Sequence, residues 1–241
     1  MAIRESTATE RRVPLNRERV LAAAVELADR EGIDTLSMRR LGQELSVAAM
    51  ALYNHVANND ELLNGMVDVV VGEIDVTDGG GPDWKPAARD RILAARRVMR
   101  SHPWASAVIA SRTDASPVVM RYMDRIGGIM LAGGFSADLL HHAFHTLGSR
   151  VLGFTQELFD DSSAASMTPE VQELMIGQMS GEYPNITAIL KQVAHDESSI
   201  VGSGCDDQFE FEFAIDVILD GLEALRQRDA TASQPRPPDG D

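Results

Sequence analysis

Apolar residues recur at helical spacing in nearly every stretch of this chain, and that restricts it to helix-on-helix packing. Val20, Leu21, Ala24, Val25, Leu27 and Ala28 follow the i, i+3, i+4, i+7 pattern. Leu62, Leu63, Met66, Val67, Val70 and Val71 do the same. Further helical stretches are expected over 87–100, 115–132, 137–158, 169–180, 185–195 and 206–227. Alternating strand patterns flanked by turn signals are absent. Val69–Val71 is strand-like alone, but it continues an amphipathic helix. The expected class is all-α.

The breaks between these stretches set the organisation. VTDGGGPDWKP at 76–86 places three glycines before two prolines, which no helix continues through, so a linker is expected there. It separates a short head, 14–75, from a longer helical bundle, 87–228. Residues 1–13 and 229–241 are polar or Pro/Gly-rich and read as a disordered arm and tail. At 241 residues with 44% hydrophobic content, the chain can bury a core in one or two domains. A single cysteine, Cys205, excludes a disulfide framework and a cysteine-rich zinc site. No apolar run reaches the roughly 18 residues of a membrane span, and the N-terminus lacks a signal-peptide core. A cytoplasmic location is expected.

Charge divides along the same line. Residues 1–59 hold eight Arg and eight Asp+Glu, whereas 60–241 hold fourteen Lys+Arg against twenty-nine Asp+Glu, the whole of the net −15. This permits a nucleic-acid-binding head on an acidic body.

Within the head, Ser37 can cap a short helix whose apolar positions are Leu41 and Leu45. Ser46 and Val47 suit a tight turn. A second short helix is expected from about Ala48 to His55, with Leu52 and Val56 facing inward. Asn58 then caps a long helix, with Asp60 and Glu61 near its positive end. Two short helices across such a turn make a helix-turn-helix, whose second helix enters the DNA major groove.

These residues carry a family resemblance. Arg30-Glu31-Gly32-Ile33, Leu36-Ser37-Met38-Arg39, Leu45-Ser46-Val47, Leu52-Tyr53-Asn54-His55-Val56 and Asp60-Glu61-Leu62-Leu63 resemble the DNA-binding head of the tetracycline-repressor (TetR) family of transcriptional regulators. Ser101-His102-Pro103-Trp104, FHTLGSRVLGF at 144–154 and FEFEFAIDVILDGLEAL at 209–225 resemble its ligand-binding bodies. The resemblance implies a three-helix head joined by a long helix to an effector-binding and dimerisation bundle. It implies a dimeric regulator, a repressor in the first instance, that binds a palindromic operator and is released by a small apolar or amphipathic effector. The rival reading is a small-molecule-binding helical protein or minor enzyme whose head no longer binds DNA.

By the same resemblance, the DNA-binding residues are Ser37, Met38, Arg39, Ala48, Ala49, Met50, Tyr53, Asn54, His55 and Asn59. Arg39 can pair bidentately with guanine and Asn54 with adenine, while alanine and methionine methyls can meet thymine methyls. Tyr53 and His55 suit phosphates, which fix register. Arg11, Arg12 and Arg17 could reach flanking phosphates. By residue type alone Met50 also suits a core, and Asn54 a plain surface position. Two positions depart from the family pattern. Ser46 stands where glycine is usual in the turn, and Asn59 stands where a lysine usually meets a phosphate. No Lys or Arg occurs from Ala48 through Gly65.

For the body, dimer helices are expected at 137–158 and 206–227, with Leu139, Leu140, Leu147, Val151, Phe213, Val217, Leu219 and Leu222 on the seam. Eleven methionines suit an adaptable apolar pocket. The pocket candidates are Met99, Trp104, Met120, Met123, Phe144, His145, Phe154, Met175 and Met179. Asp138, His141, His142 and His145 share helical spacing, but no third metal ligand stands at a characteristic spacing elsewhere. No nucleophile motif or phosphate loop appears. Neither a metal, a cofactor nor an enzyme activity is expected. Tetracycline-binding members use histidines to hold a drug–magnesium chelate, and the matching places here are near Asp75 and Ile109, which argues against that ligand.

Overall fold

A computed structural model describes residues 14–74, 83–153, 168–193 and 207–232, and these fall into two compact units. Every regular element among the described residues is helical.

The first unit combines the chain up to Glu73 with 98–119. Helix α1, Arg17–Glu31, starts where Asn16 Oδ1 accepts from Arg19 N at 2.8 Å and ends at Gly32 with φ 86°. That left-handed backbone is one glycine adopts without strain. A 3₁₀ turn at Ile33–Thr35 leads to α2, Met38–Glu44, α3, Ala49–Leu52, and α4, Asn59–Gly72. The apolar stripes of α1 and α4 are both buried, including Val20, Leu27, Leu62, Met66 and Val70. Gly65 permits the close approach, because a Cβ there would lie 2.6 Å from Leu21 Cδ2. The last turn of α5 and the short helix α6, Ala105–Ala110, complete the unit.

The second unit holds most of α5, Trp84–Ser101, and of α7, Pro117–Ala132. It also holds α8, Ala137–Gly153, α9, Pro169–Met179, α10, Pro184–Val193, and α11, Asp207–Ala232. Its core joins Trp84, Ile92, Ile126, Met130, Phe135, Leu140, Leu147, Phe211, Ile215, Leu219 and Leu222. Trp84 stands edge-on to Phe135 at 4.6 Å and lies against Gly133, where an added Cβ would come 2.5 Å from the Trp84 Cβ. Along α5 and α11 run Lys85–Asp220, Arg89 Nε to Asp216 at 2.6 Å, Arg89 Nη2 to Glu212 at 2.8 Å, and Trp84 Nε1 to Glu223 at 3.0 Å.

The elements differ from the sequence expectation chiefly as follows. Helix α5 begins at Trp84, inside the span expected as linker, with Pro86 in the first turn where proline removes no helical hydrogen bond. Helix α11 runs to Ala232, past the expected start of the tail at 229. The second head helix closes at Leu52 rather than His55, and α6 was not anticipated. The end of the expected 137–158 helix, the arm at 1–13 and most of the linker lie outside the described residues. No described helix is long and apolar enough to cross a membrane.

Candidate nucleic-acid interface

The head's helix-turn-helix is built from short-range signals. Ser37 Oγ accepts from Arg40 N at 3.2 Å and starts α2, and Leu41, fully buried, anchors it. The turn is closed by Ser46 N to Gln43 O at 3.2 Å and Val47 N to Gly42 O at 2.9 Å. Ser46 adopts φ 55°, in the left-handed region that a non-glycine residue enters at a cost. Gly42 lets α2 meet the start of α3, since a Cβ would lie 3.0 Å from Val47 O and 3.2 Å from Ala49 N. Beyond Leu52 the chain coils on more tightly, with His55 N to Leu52 O at 2.8 Å, and Leu52 and Val56 fill the space beneath. Asn58 Oδ1 then accepts from Glu61 N at 2.8 Å, while Glu61 Oε2 accepts from Ala57 N at 2.7 Å. The Ala57 N–H, foremost, holds the Glu61 carboxyl below its ordinary range.

This scaffold turns a defined set outward. Ser37, Arg39, Ala48, Met50, Tyr53, Asn54 and Asn59 are exposed, and Met38, Ala49 and His55 are half-buried. Met50 is 75% exposed, which removes the core reading for it. The two neighbouring arginines diverge. Arg40 Nε donates to Glu31 at 3.1 Å and its Nη1 lies 3.1 Å from Glu44, so its charge is spent inside the head. Arg39 has no carboxylate partner among the described residues and points its charge into solvent. At the start of α4, Asp60 pairs with Arg112 at 3.1 Å and Glu61 with Arg17 at 3.4 Å. The negative charge beside Asn59 is therefore compensated from α1 and from just beyond α6. Arg112, 52 residues from Asp60, left no local signal of this role in the sequence.

Residues 20–66 match the family described as bacterial regulatory proteins, tetR family, and residues 78–226 match the tetracyclin repressor-like, C-terminal domain. The chain belongs to the tetracycline-repressor family. An HTH-type transcriptional regulator of Saccharopolyspora erythraea is 38% identical over 131 residues, 52% of this chain and 54% of that protein. The chain thus spans about half the length of that relative. The HTH-type transcriptional repressor DrrR1 of Streptomyces coeruleorubidus is 29% identical over 222 residues, 88% of this chain and 78% of that protein. Among solved structures, ActR of Streptomyces coelicolor in complex with actinorhodin matches with TM-score 0.67 at 25% identity, covering 89% of this chain and 99% of that one. A tetracycline-repressor member is a DNA-binding transcriptional regulator, and the exposed helix-turn-helix face is where this one presents its side chains.

The body residues expected around an effector are divided between the two units. Met99 and Trp104 are buried in the first unit, and Trp104 Nε1 donates to Asp29 at 2.6 Å. Met120, Met123, His145 and Met175 of the second unit are exposed, Met179 is half-buried, and Phe144 packs on the core. Phe154 lies outside the described residues. Side-chain type chose these candidates, and type does not say where a helix points them. The expected seam separates too. Leu140, Leu147, Leu219 and Leu222 belong to the core of the unit, Leu139 and Val151 pack against it, and Phe213 and Val217 remain exposed together with Leu225. His141, His142 and His145 stand exposed on α8, with the His141 and His145 rings 4.7 Å apart. Among the described residues no three His, Cys, Asp or Glu side chains converge as a metal site.

Proposed function

We propose that this chain is a repressor that binds a palindromic operator as a homodimer and leaves it when a small apolar or amphipathic molecule occupies the body. The observation that carries this reading is the outward face of the head: Arg39 unpaired by any described carboxylate, with Ala48, Met50, Tyr53 and Asn54 exposed around the turn. In it Arg39 reads guanine through N7 and O6, Asn54 reads adenine, and Ala48, Ala49 and Met50 meet thymine methyls. Ser37, Tyr53, His55 and Asn59 go to phosphates, with Met38 packed behind them.

Dimerisation is supported by Phe213, Val217 and Leu225, which leave an apolar stripe on α11 at steps of one or two turns. Two such stripes paired across a two-fold axis would set the spacing of the half-sites. The effector is supported by ActR, described in complex with actinorhodin, and by the apolar side chains that α9 and α10 expose, Leu174, Met175, Ile186 and Ile189. The protein works in the cytoplasm in this reading. A mobility-shift titration with the DNA upstream of the chain's own coding sequence tests it. Retardation of that duplex at concentrations that leave a scrambled one free is expected, and equal retardation of both would overturn sequence-specific repression.

A further inference from the structure

His102 follows directly on α5 and is only 7% exposed. Carboxylates hold its ring from both sides. Nδ1 lies 2.9 Å from each oxygen of Asp29, on α1, and Nε2 lies 3.0 Å from Glu73 Oε2, the residue that closes α4. Trp104 stands edge-on to the imidazole at 6.2 Å and shares the same Asp29 oxygen through its indole N–H. Among the described residues, the charged groups within hydrogen-bond reach of the ring are Asp29 from α1 and Glu73 from α4, and Trp104 adds a neutral donor to Asp29.

An ionised carboxylate only accepts, and a neutral imidazole has one N–H and one lone pair. With carboxylates at both nitrogens, the neutral ring would set a lone pair against an oxygen lone pair on one side. The imidazolium alone donates to both. One proton therefore joins three segments: α1, the end of α4, and the chain entering α6.

We propose that His102 is a proton-controlled positioning residue: as an imidazolium it ties the segment entering α6 to α1 and α4 of the head, and loss of that proton frees the segment and lowers operator affinity. The last step rests on the function proposed above; the tie itself does not. Burial opposes the charge, but the bonds to Glu73 and Asp29 outweigh it and hold the His102 pKa above its ordinary 6.5. A raised pKa in the folded state means the tie is fully made below about pH 6.5 and is lost as pH rises through the folded value. A freed segment leaves the head less fixed, and ordering it again on DNA costs affinity.

The full-length chain labelled with 5-fluorotryptophan gives two fluorine resonances, from Trp84 and Trp104, its only tryptophans. Between about pH 5.5 and 9 the Trp104 resonance should titrate with a midpoint above that of free imidazole, while Trp84 stays still. His102→Gln should abolish the step. Glu73→Gln, at a half-exposed side chain that can be changed without threatening the fold, should move the midpoint down. Over the same range wild-type operator affinity should fall about five- to tenfold more than that of His102→Gln, which keeps only the pH dependence of the DNA contacts themselves, His55 among them. A Trp104 resonance that does not move, or that moves equally in His102→Gln, overturns the tie. A titrating resonance with pH-independent operator affinity overturns the positioning role. A chain that titrates but binds no operator at any pH overturns the repressor reading and supports the tie.

Discussion

Arg96 lies buried in the second unit with its guanidinium 4.0 Å from the centre of the Phe211 ring, and Arg150 approaches the same ring at 5.3 Å. Arg39 in the first unit stands in solvent on the outer face of α2. The same kind of side chain packs on an aromatic ring in one region and stands in solvent in the other. In the body, the stem and flat face of arginine cover an aromatic ring. In the head, Arg17, Arg30, Arg40 and Arg112 pair with carboxylates, whereas Arg39 has no carboxylate partner among the described residues. A net charge of −15 describes neither arrangement, because it counts groups without asking which of them are already engaged.

The contrast can be broken first in the body. Phe211→Ala removes the platform beneath two guanidiniums together with a fully buried ring, and should cost about 3–5 kcal/mol in chemical denaturation. A loss below about 1 kcal/mol would show that the arginines do not depend on the ring. Arg39→Ala should leave the melting temperature unchanged and weaken specific operator binding by about 1–3 kcal/mol. An equal loss on scrambled DNA would reduce Arg39 to a phosphate contact. Asn59→Lys adds a cation where Asp60 and Glu61 are already partnered. It should steepen the dependence of log affinity on log salt by about 0.9 for each half-site, without changing base preference. Unchanged slopes would mean that residue 59 faces away from the backbone.

Ser46→Gly should give the smallest effect, a stability gain of about 0.5–1 kcal/mol, because relief of the left-handed strain is partly offset by the chain entropy of glycine. A destabilised variant would show that the serine side chain, and not only its φ, matters to the turn.

The head was largely legible because its signals are local. The caps at Ser37 and Asn58, the buried Leu41, Leu52 and Val56, and the tight turn at Ser46 and Val47 each depend on residues three or four apart. The end of α3 was not legible, because from Leu52 onward only hydrogen-bond geometry distinguishes an α-helix from tighter coiling. Helix α6 has six residues, too few for a periodic pattern to declare itself. Trp104 looked like a pocket wall by type, yet its partner Asp29 is 75 residues away. The leucines at 140, 147, 219 and 222 follow the same period whether they face a neighbouring helix or a second copy. Periodicity gives a helix its face and leaves the occupant of that face unnamed.

The stitching of α5 to α11 has a consequence of its own. Acidic residues at 212, 216 and 220 are spaced one turn apart, as are the apolar Phe211, Ile215 and Leu219 beside them. Were α11 to slide by one turn, Asp216 would take the place of Asp220 opposite Lys85, Glu212 would still meet Arg89, and two of the three apolar places would stay filled. A ruler with evenly spaced marks can be read only at its ends. Here one end is Phe211 under Arg96, whose place Asp207 would take, and the other is Glu223 under the Trp84 indole, whose place Leu219 would take. The correct alignment of α11 is therefore decided by these two contacts, and the ion pairs between them hold whichever alignment those contacts choose.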